Sequence, residues 1–253
     1  MISKAKLKAL ASYKMQKNCD MDNVFVVEGI KMCDEAMQAS AAIRAVCATR
    51  QWMESHPDAE RCQDMTLYEV TDDELSRLSS QRSPNQVWML LERTAAPEGR
   101  LHAAPLTLAL DKIQDPGNMG TIMRTADWFG IRTIVCSRDT VSCYNPKVVQ
   151  STMGAIFRTR VVYTDLADYL TQRRHEGATV YGALLDGENI YQSSLQADKA
   201  ILVIGNESQG ISAAVRACID HPIMIPNPGG SCESLNASIA TAILCSEFLR
   251  GQN

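Results

Sequence analysis

The chain has 253 residues, enough for one or two domains with a sizeable core. Hydrophobic residues make up 45% and charged residues 21%, the composition of an ordinary globular chain. The formal net charge of −4 excludes a uniformly basic nucleic-acid coat and leaves room only for a local basic patch.

The nine cysteines form no C-x-x-C pair, and no His/Cys cluster has zinc spacing. They read as free thiols in a reducing cytosol, and no metal is expected. The opening MISKAKLKAL lacks the apolar core of a signal peptide, and no run approaches eighteen apolar residues. The expected compartment is cytoplasmic.

The first eighteen residues carry Lys4, Lys6, Lys8, Lys14 and Lys17 and no acid, with Ile2, Leu7, Leu10 and Met15 near helical spacing. They predict an amphipathic helix whose basic face is either solvated or in contact with an RNA backbone. Strand patterns follow at residues 24–27, 43–47 and 86–91, with helices at 30–39, 51–55 and 74–78. Thr71-Asp72-Asp73-Glu74 has the form of a capping box. Residues 93–105, rich in Pro, Gly and Ala, read as a linker. Beyond it the pattern alternates. Strands are expected at 106–110, 133–136, 161–163, 179–183, 200–205 and 222–225, and helices at 119–129, 146–152, 166–174, 211–218 and 235–249. Such alternation predicts a mostly parallel sheet covered on both faces.

Two apolar strands near the C-terminus end in glycine-bearing turns, Gly205-Asn206-Glu207-Ser208-Gln209-Gly210 and the loop 227–233. Turns at the carboxyl ends of strands are where open α/β sheets bind ligands, although ordinary glycine caps would look the same. No lysine follows Gly210 as a phosphate-binding Walker loop requires, and no G-x-G-x-x-G occurs in these turns. Upstream, Asp115 or Asn118 can cap a helix, with Pro116 fixing the turn; if the helix starts at Asn118 or soon after, Arg124 lies nearly two turns along it.

Taken together, ILVIGNESQGIS (201–212), IMIPNPGGSCESLNAS (223–238) and DPGNMG (115–120) with Arg124-Thr125-Ala126 resemble the three motifs of the SpoU/TrmH family of RNA ribose methyltransferases. The run FVVEGIKMCDEAM is similar to the family's N-terminal domain, a small ribosomal-protein-like α/β sandwich. The resemblance implies an RNA substrate-binding domain over residues 1–100 and a methyltransferase domain over 101–253. The latter would be a trefoil-knotted, mostly parallel α/β sheet that dimerises. It also implies S-adenosylmethionine as cofactor and 2′-O-methylation of ribose, in ribosomal RNA first and transfer RNA as the alternative. A non-catalytic RNA-binding factor on the same fold is the rival from another class.

By the same resemblance Arg124, Asn118, Glu207 and Asn236 carry the chemistry. Gly205, Asn206, Ile225, Pro226, Ser234 and Leu235 line the cofactor, and Lys4, Lys6, Lys8 and Arg124 meet RNA. Arg124 is too weak an acid to act alone as a base, which favours a positioning and electrostatic role. Glu207 is expected to hold Arg124 or Asn236, either for function or as a structural ion pair. Ser234 can cap the last helix, and Ser238 can cap it or join the RNA-side contacts. Residues 147–155 match a family segment in which Ser151 and Gly154 read as structural. Ser208, where the family commonly has glycine, and a longer 227–233 loop are departures.

Overall fold

The computed structural model describes residues 2–57, 59, 65–93 and 106–250. The expected linker lies outside them beyond Arg93, as does Cys62. The N-terminal elements are α1 (Lys4–Ala11), α2 (Gln16–Met21), β1 (Val24–Glu28), α3 (Ile30–Gln38), β2 (Ile43–Ala48), α4 (Arg50–Ser55), β3 (Thr66–Glu69), α5 (Asp72–Leu78) and β4 (Val87–Glu92). Then follow β5 (Leu106–Leu110), α6 (Pro116–Trp128), β6 (Thr133–Ser137), α7 (Pro146–Thr152), β7 (Arg160–Thr164) and α8 (Leu166–His175). The last are β8 (Thr179–Asn189), β9 (Ala200–Ile204), α9 (Ala213–Arg216), β10 (His221–Met224) and α10 (Ala237–Phe248).

The chain divides into two compact units, and the division is not a single cut. The first comprises Met1–Ala95 together with Tyr144–Phe157, and the second comprises Ala96–Cys143 with Arg158–Asn253. In the first unit the sheet order is β1-β4-β2-β3, with β4 antiparallel to β1 and β2, and β3 parallel to β2. The four-residue β3 is too short to show a pattern in sequence. The capping box forms as expected: Glu74 N–H donates to Thr71 Oγ1 at 3.2 Å, and Thr71 N–H to Glu74 Oε2 at 2.9 Å.

The single basic helix expected at the start is broken. A 3-10 turn, Ser12–Lys14, and an extended Met15 separate α1 from α2. Ser12 Oγ donates to the carbonyl of Ala9 and Asn18 Nδ2 to that of Ser12, so side chains occupy carbonyls near the break. Segment 144–157 packs in this unit: Val149 is buried in its core, and Tyr144 and Phe157 lie against Phe25, whose ring is 4.9 Å from that of Tyr144. Ser151 Oγ donates back to the Lys147 carbonyl, and Gly154 adopts φ +98°, which fits the structural reading of both.

In the second unit six strands run in the order β10-β8-β9-β5-β6-β7, and every pairing is parallel. β5, β6 and β9 are buried at every residue, as strands covered on both faces must be. Ala109, Val135, Ile201 and Val203 pack with Leu166, Leu170 and Val215 from α8 and α9. The alternate residues, such as Leu108, Leu110, Leu202 and Ile204, point to the opposite face and are equally buried. α6 and α10 are in contact; Met119, Ile122 and Met123 are buried on the first and Leu244, Cys245 and Phe248 on the second. β8 runs to Asn189, six residues beyond its expected end, because residues beyond Gly182 pair with β10 across a register shift. α9 shrinks to four residues.

Candidate active site

β5 and β9 are neighbours in register, with Leu110 opposite Ile204. Their C-terminal loops therefore leave the sheet side by side, where the strand order places a ligand crevice. The first loop leads into α6, capped by Asp115 Oδ1, which accepts from the Asn118 N–H at 2.8 Å, with Pro116 at the first helical position. The second is closed on itself by paired backbone bonds between Asn206 and Gly210, of 3.1 and 2.8 Å. A Cβ on Gly205 would lie 2.5 Å from the Gly210 carbonyl carbon and 2.6 Å from the Ile211 nitrogen, so the turn admits only glycine there.

Three predicted residues meet. Asn118 Nδ2 donates to Glu207 Oε1, and Asn236 Nδ2 donates to Asn118 Oδ1 at 2.8 Å. Asn236 Oδ1 in turn accepts from the N–H groups of Ser238 and Ile239 and from Ser238 Oγ, at 3.0, 3.3 and 2.6 Å. The cap of α10 is thus Asn236, which corrects the expectation for Ser234. A carboxamide can give and accept at once, so Asn118 links the starts of α6 and α10 to the loop after β9. The Glu207 carboxylate makes the last link charge-assisted.

Arg124 stands apart. It is exposed and forms no hydrogen bond or ion pair among the described residues, so neither Glu207 nor any other acid holds it.

Gly205, Asn206, Ile225, Pro226, Ser234 and Leu235 all line one cavity of about 610 Å³, within the usual range for a small-molecule site. Leu184, Ile223 and Leu244 extend its apolar wall. Asn206 lines it, but its side chain is occupied: Nδ2 donates to the Lys112 carbonyl at 3.0 Å, and Oδ1 accepts from Ser208 and Gln209 N–H at 2.9 and 3.1 Å. Its carboxamide shapes the loop. Asp111, only 1% exposed, accepts from the Ser212 N–H at 2.7 Å and ties the far end of the same turn to β5. Sequence reasoning missed Asp111 because a carboxylate after a strand gives no sign of being buried. It also missed the wall residues Leu185 and Cys232, which lie on an over-long strand and an irregular loop.

Lys4, Lys6 and Lys8 are exposed on α1 in the first unit. The Lys6 ammonium stands over the Tyr68 ring, 5.9 Å from its centroid, and α1 packs on α5, whose first turn holds Asp72, Asp73 and Glu74. Among the described residues no group of acids, histidines and cysteines could hold a metal, and no helix is long and apolar enough to cross a membrane.

The SpoU rRNA Methylase family matches residues 105–246, and the MRM3-like substrate binding domain matches residues 4–88. The 23S rRNA (guanosine(2553)-2′-O)-methyltransferase RlmP of Bacillus subtilis is 30% identical over 239 residues, 94% of each chain. A solved structure described as an RNA methyltransferase of the TrmH family, from Porphyromonas gingivalis, superposes with a TM-score of 0.87 at 38% identity, covering 99% of both chains. The AdoMet-bound rRNA methyltransferase of Sinorhizobium meliloti gives 0.86 at 25% identity, covering 99% of this chain and 96% of its own. Family matches over both parts of the chain and a full-length relative lead to one conclusion: this protein belongs to the SpoU rRNA methylase family.

Proposed function

We propose that this protein methylates a ribose 2′-hydroxyl of RNA, ribosomal RNA in the first instance, using S-adenosylmethionine. One observation carries the reading: six residues from two separate loops line a single cavity, and the adjoining loop residue Glu207 is bonded to Asn118. Ribosomal rather than transfer RNA is favoured by the RlmP relative, similar along nearly the whole chain.

The cavity fits the cofactor in size and in its apolar lining. The backbone of residues 205–210 and the side chains of Ile225 and Leu235 would hold it. When bound, it supplies a methyl group on a sulfonium, with a neutral thioether as leaving group. The chain's own residues do the rest. Asn118, Glu207 and Asn236 fix the relative position of three loops, which serves alignment of the nucleophile. Arg124, bare and cationic, positions the ribose or its neighbouring phosphate and stabilises the 2′-oxygen as its proton passes to that phosphate or to solvent.

The reading includes a homodimer through the second unit and the knot that the family implies. Trp128 at the end of α6, 85% exposed, and Ile239 on α10, 52% exposed, offer apolar surface for a twofold mate. Sedimentation at micromolar concentration should give twice the mass of one chain; a monomer would remove the dimer from the reading.

The decisive assay mixes purified protein and methyl-labelled S-adenosylmethionine with unmodified 23S rRNA or transfer RNA. Label in alkali-resistant dinucleotides of the ribosomal RNA is expected. Label in transfer RNA alone would reassign the substrate. Absence of transfer to either, with the cofactor bound, would favour a non-catalytic RNA-binding factor.

A further inference from the structure

We propose that the first unit meets RNA through the loop 79–86 and the adjoining side of α7, and not through the lysine-bearing α1. This rests on the reading that the protein acts on RNA and names the surface that does the holding.

Glu28, at the end of β1, is only 8% exposed. Its carboxylate accepts from Ser79 Oγ, from Ser80 Oγ at 2.7 Å and from the Ser80 N–H at 3.1 Å. Ser79 Oγ accepts in turn from the Gln81 N–H at 3.0 Å. A charge buried for this purpose is costly unless fully hydrogen-bonded, and here three donors from two consecutive serines satisfy it. The loop's far end is equally fixed: the Gln86 carbonyl accepts from Thr49 N–H at 2.8 Å, and Gln86 itself has φ +58°. Both ends are clamped while Arg82, Ser83 and Asn85 remain exposed. That is a preorganised recognition loop rather than a loose connection.

Gln81 Nε2 donates to Gln150 Oε1 at 3.1 Å, which sets the loop beside α7. Lys147 lies three residues before Gln150, on the same side of that helix, and is exposed. Neither residues 79–86 nor residues 144–157 contain an acid. Arg82 and Lys147 form no ion pair among the described residues. Two bare cations among Gln, Ser and Asn side chains are the groups that contact phosphate and sugar. The alternative surface is poorer. α1 packs on α5, whose first turn holds Asp72, Asp73 and Glu74, and acids on a neighbouring helix weaken the field of its lysines. With a net charge of −4 a polyanion must be drawn in by a local patch; here Glu28 beneath the loop is buried and taken up by three donors, and Glu35 beside Gly154 is half-buried.

The test measures binding of an unmodified 23S rRNA transcript and of bulk transfer RNA across a salt series. Arg82→Ala with Lys147→Ala should weaken binding at least about tenfold at low salt and lower the salt slope by roughly two. Binding of S-adenosylhomocysteine should not change. Lys4→Ala with Lys8→Ala should shift the slope far less. The charge-preserving pair Arg82→Lys and Lys147→Arg should keep the wild-type slope. Wild-type affinity and slope in the double alanine variant, with α1 carrying the loss, would overturn the surface while leaving the proposed activity intact. Failure of the unaltered protein to bind either RNA would overturn both.

Discussion

Residues 205–210 and residues 227–235 wall the same cavity, yet the first loop is tied to the sheet and the second largely to itself. Asn206 reaches back to Lys112, Asp111 grips Ser212, and Glu207 takes the hydrogen bond of Asn118. In the second loop the side chain of Asn227 makes four bonds, all to Gly229, Gly230 or Cys232 within the loop. One wall is tied to neighbouring elements and the other mainly to itself, so a ligand is expected to meet a fixed side and a more adjustable one. Preorganisation and access are thus divided between two strand ends.

The largest effect should come from a residue in neither wall. Arg124→Ala is expected to lower methyl transfer by about a hundredfold or more, the scale of losing one charge-stabilising donor. Cofactor affinity should stay unchanged, since Arg124 does not line the cavity. Arg124→Lys should rescue poorly, because a point charge lacks the planar fork. Wild-type turnover in a folded Arg124→Ala protein would refute its role.

A matched glycine pair tests the comparison itself. At Gly205 the added methyl meets backbone that is bonded in place, so Gly205→Ala should cost about 1–3 kcal/mol in stability. Its affinity for S-adenosylhomocysteine should also fall about tenfold or more, equivalent to roughly 1.4 kcal/mol. At Gly230 the nearest atom is Asn227 Oδ1, a side-chain atom 3.1 Å away, and Gly230→Ala should stay within about 0.5 kcal/mol. Equal effects in denaturant melts and calorimetry would dissolve the distinction between the walls.

Asn206→Ala and Asn227→Ala sharpen it further. Asn206→Ala removes a tether to β5 and should cost about 1–3 kcal/mol, with weaker cofactor binding. Asn227→Ala breaks only exposed bonds within its loop and should cost less than about 1 kcal/mol. The smallest effect concerns Cys232, the only exposed thiol among the described cysteines and part of the adjustable wall. Burial pushes the thiols of Cys47 and Cys245 up to about 12, so they stay protonated and slow at pH 8. Iodoacetamide should label Cys232 ahead of them, and S-adenosylhomocysteine should slow that labelling. Unaltered labelling at saturating ligand would place the ligand away from this loop.

The sequence was most legible where local chemistry decides the structure. Leu106–Leu110 and Pro146–Thr152 match their expected bounds, the first because a central parallel strand is apolar throughout, the second because Asn145-Pro146 caps and starts a helix. The carboxamide and carboxylate residues that meet in the site could be named from motif resemblance alone. Their hydrogen bonds could not, because periodicity carries no information about which loop ends adjoin. The same limit hid the turn-forming bonds of the Asn206 side chain, a polar group that suits a ligand and a turn equally well. Ser234 was a reasonable cap by residue type, but Asn236 takes three donors with one oxygen. The break after α1 was hidden because apolar spacing continues through it.

The placement of residues 144–157 has a consequence for how the protein is made. Translation delivers Met1–Ala95 first, but the first unit then lacks Tyr144, Val149 and Phe157 from its core. Phe25 waits for its aromatic partners until some fifty residues of the second unit have been synthesised. The two units therefore cannot mature strictly one after the other as the nascent chain emerges. A gene truncated after residue 95 should yield a complete sheet with a partly uncovered, sticky apolar face rather than a free-standing RNA-binding module.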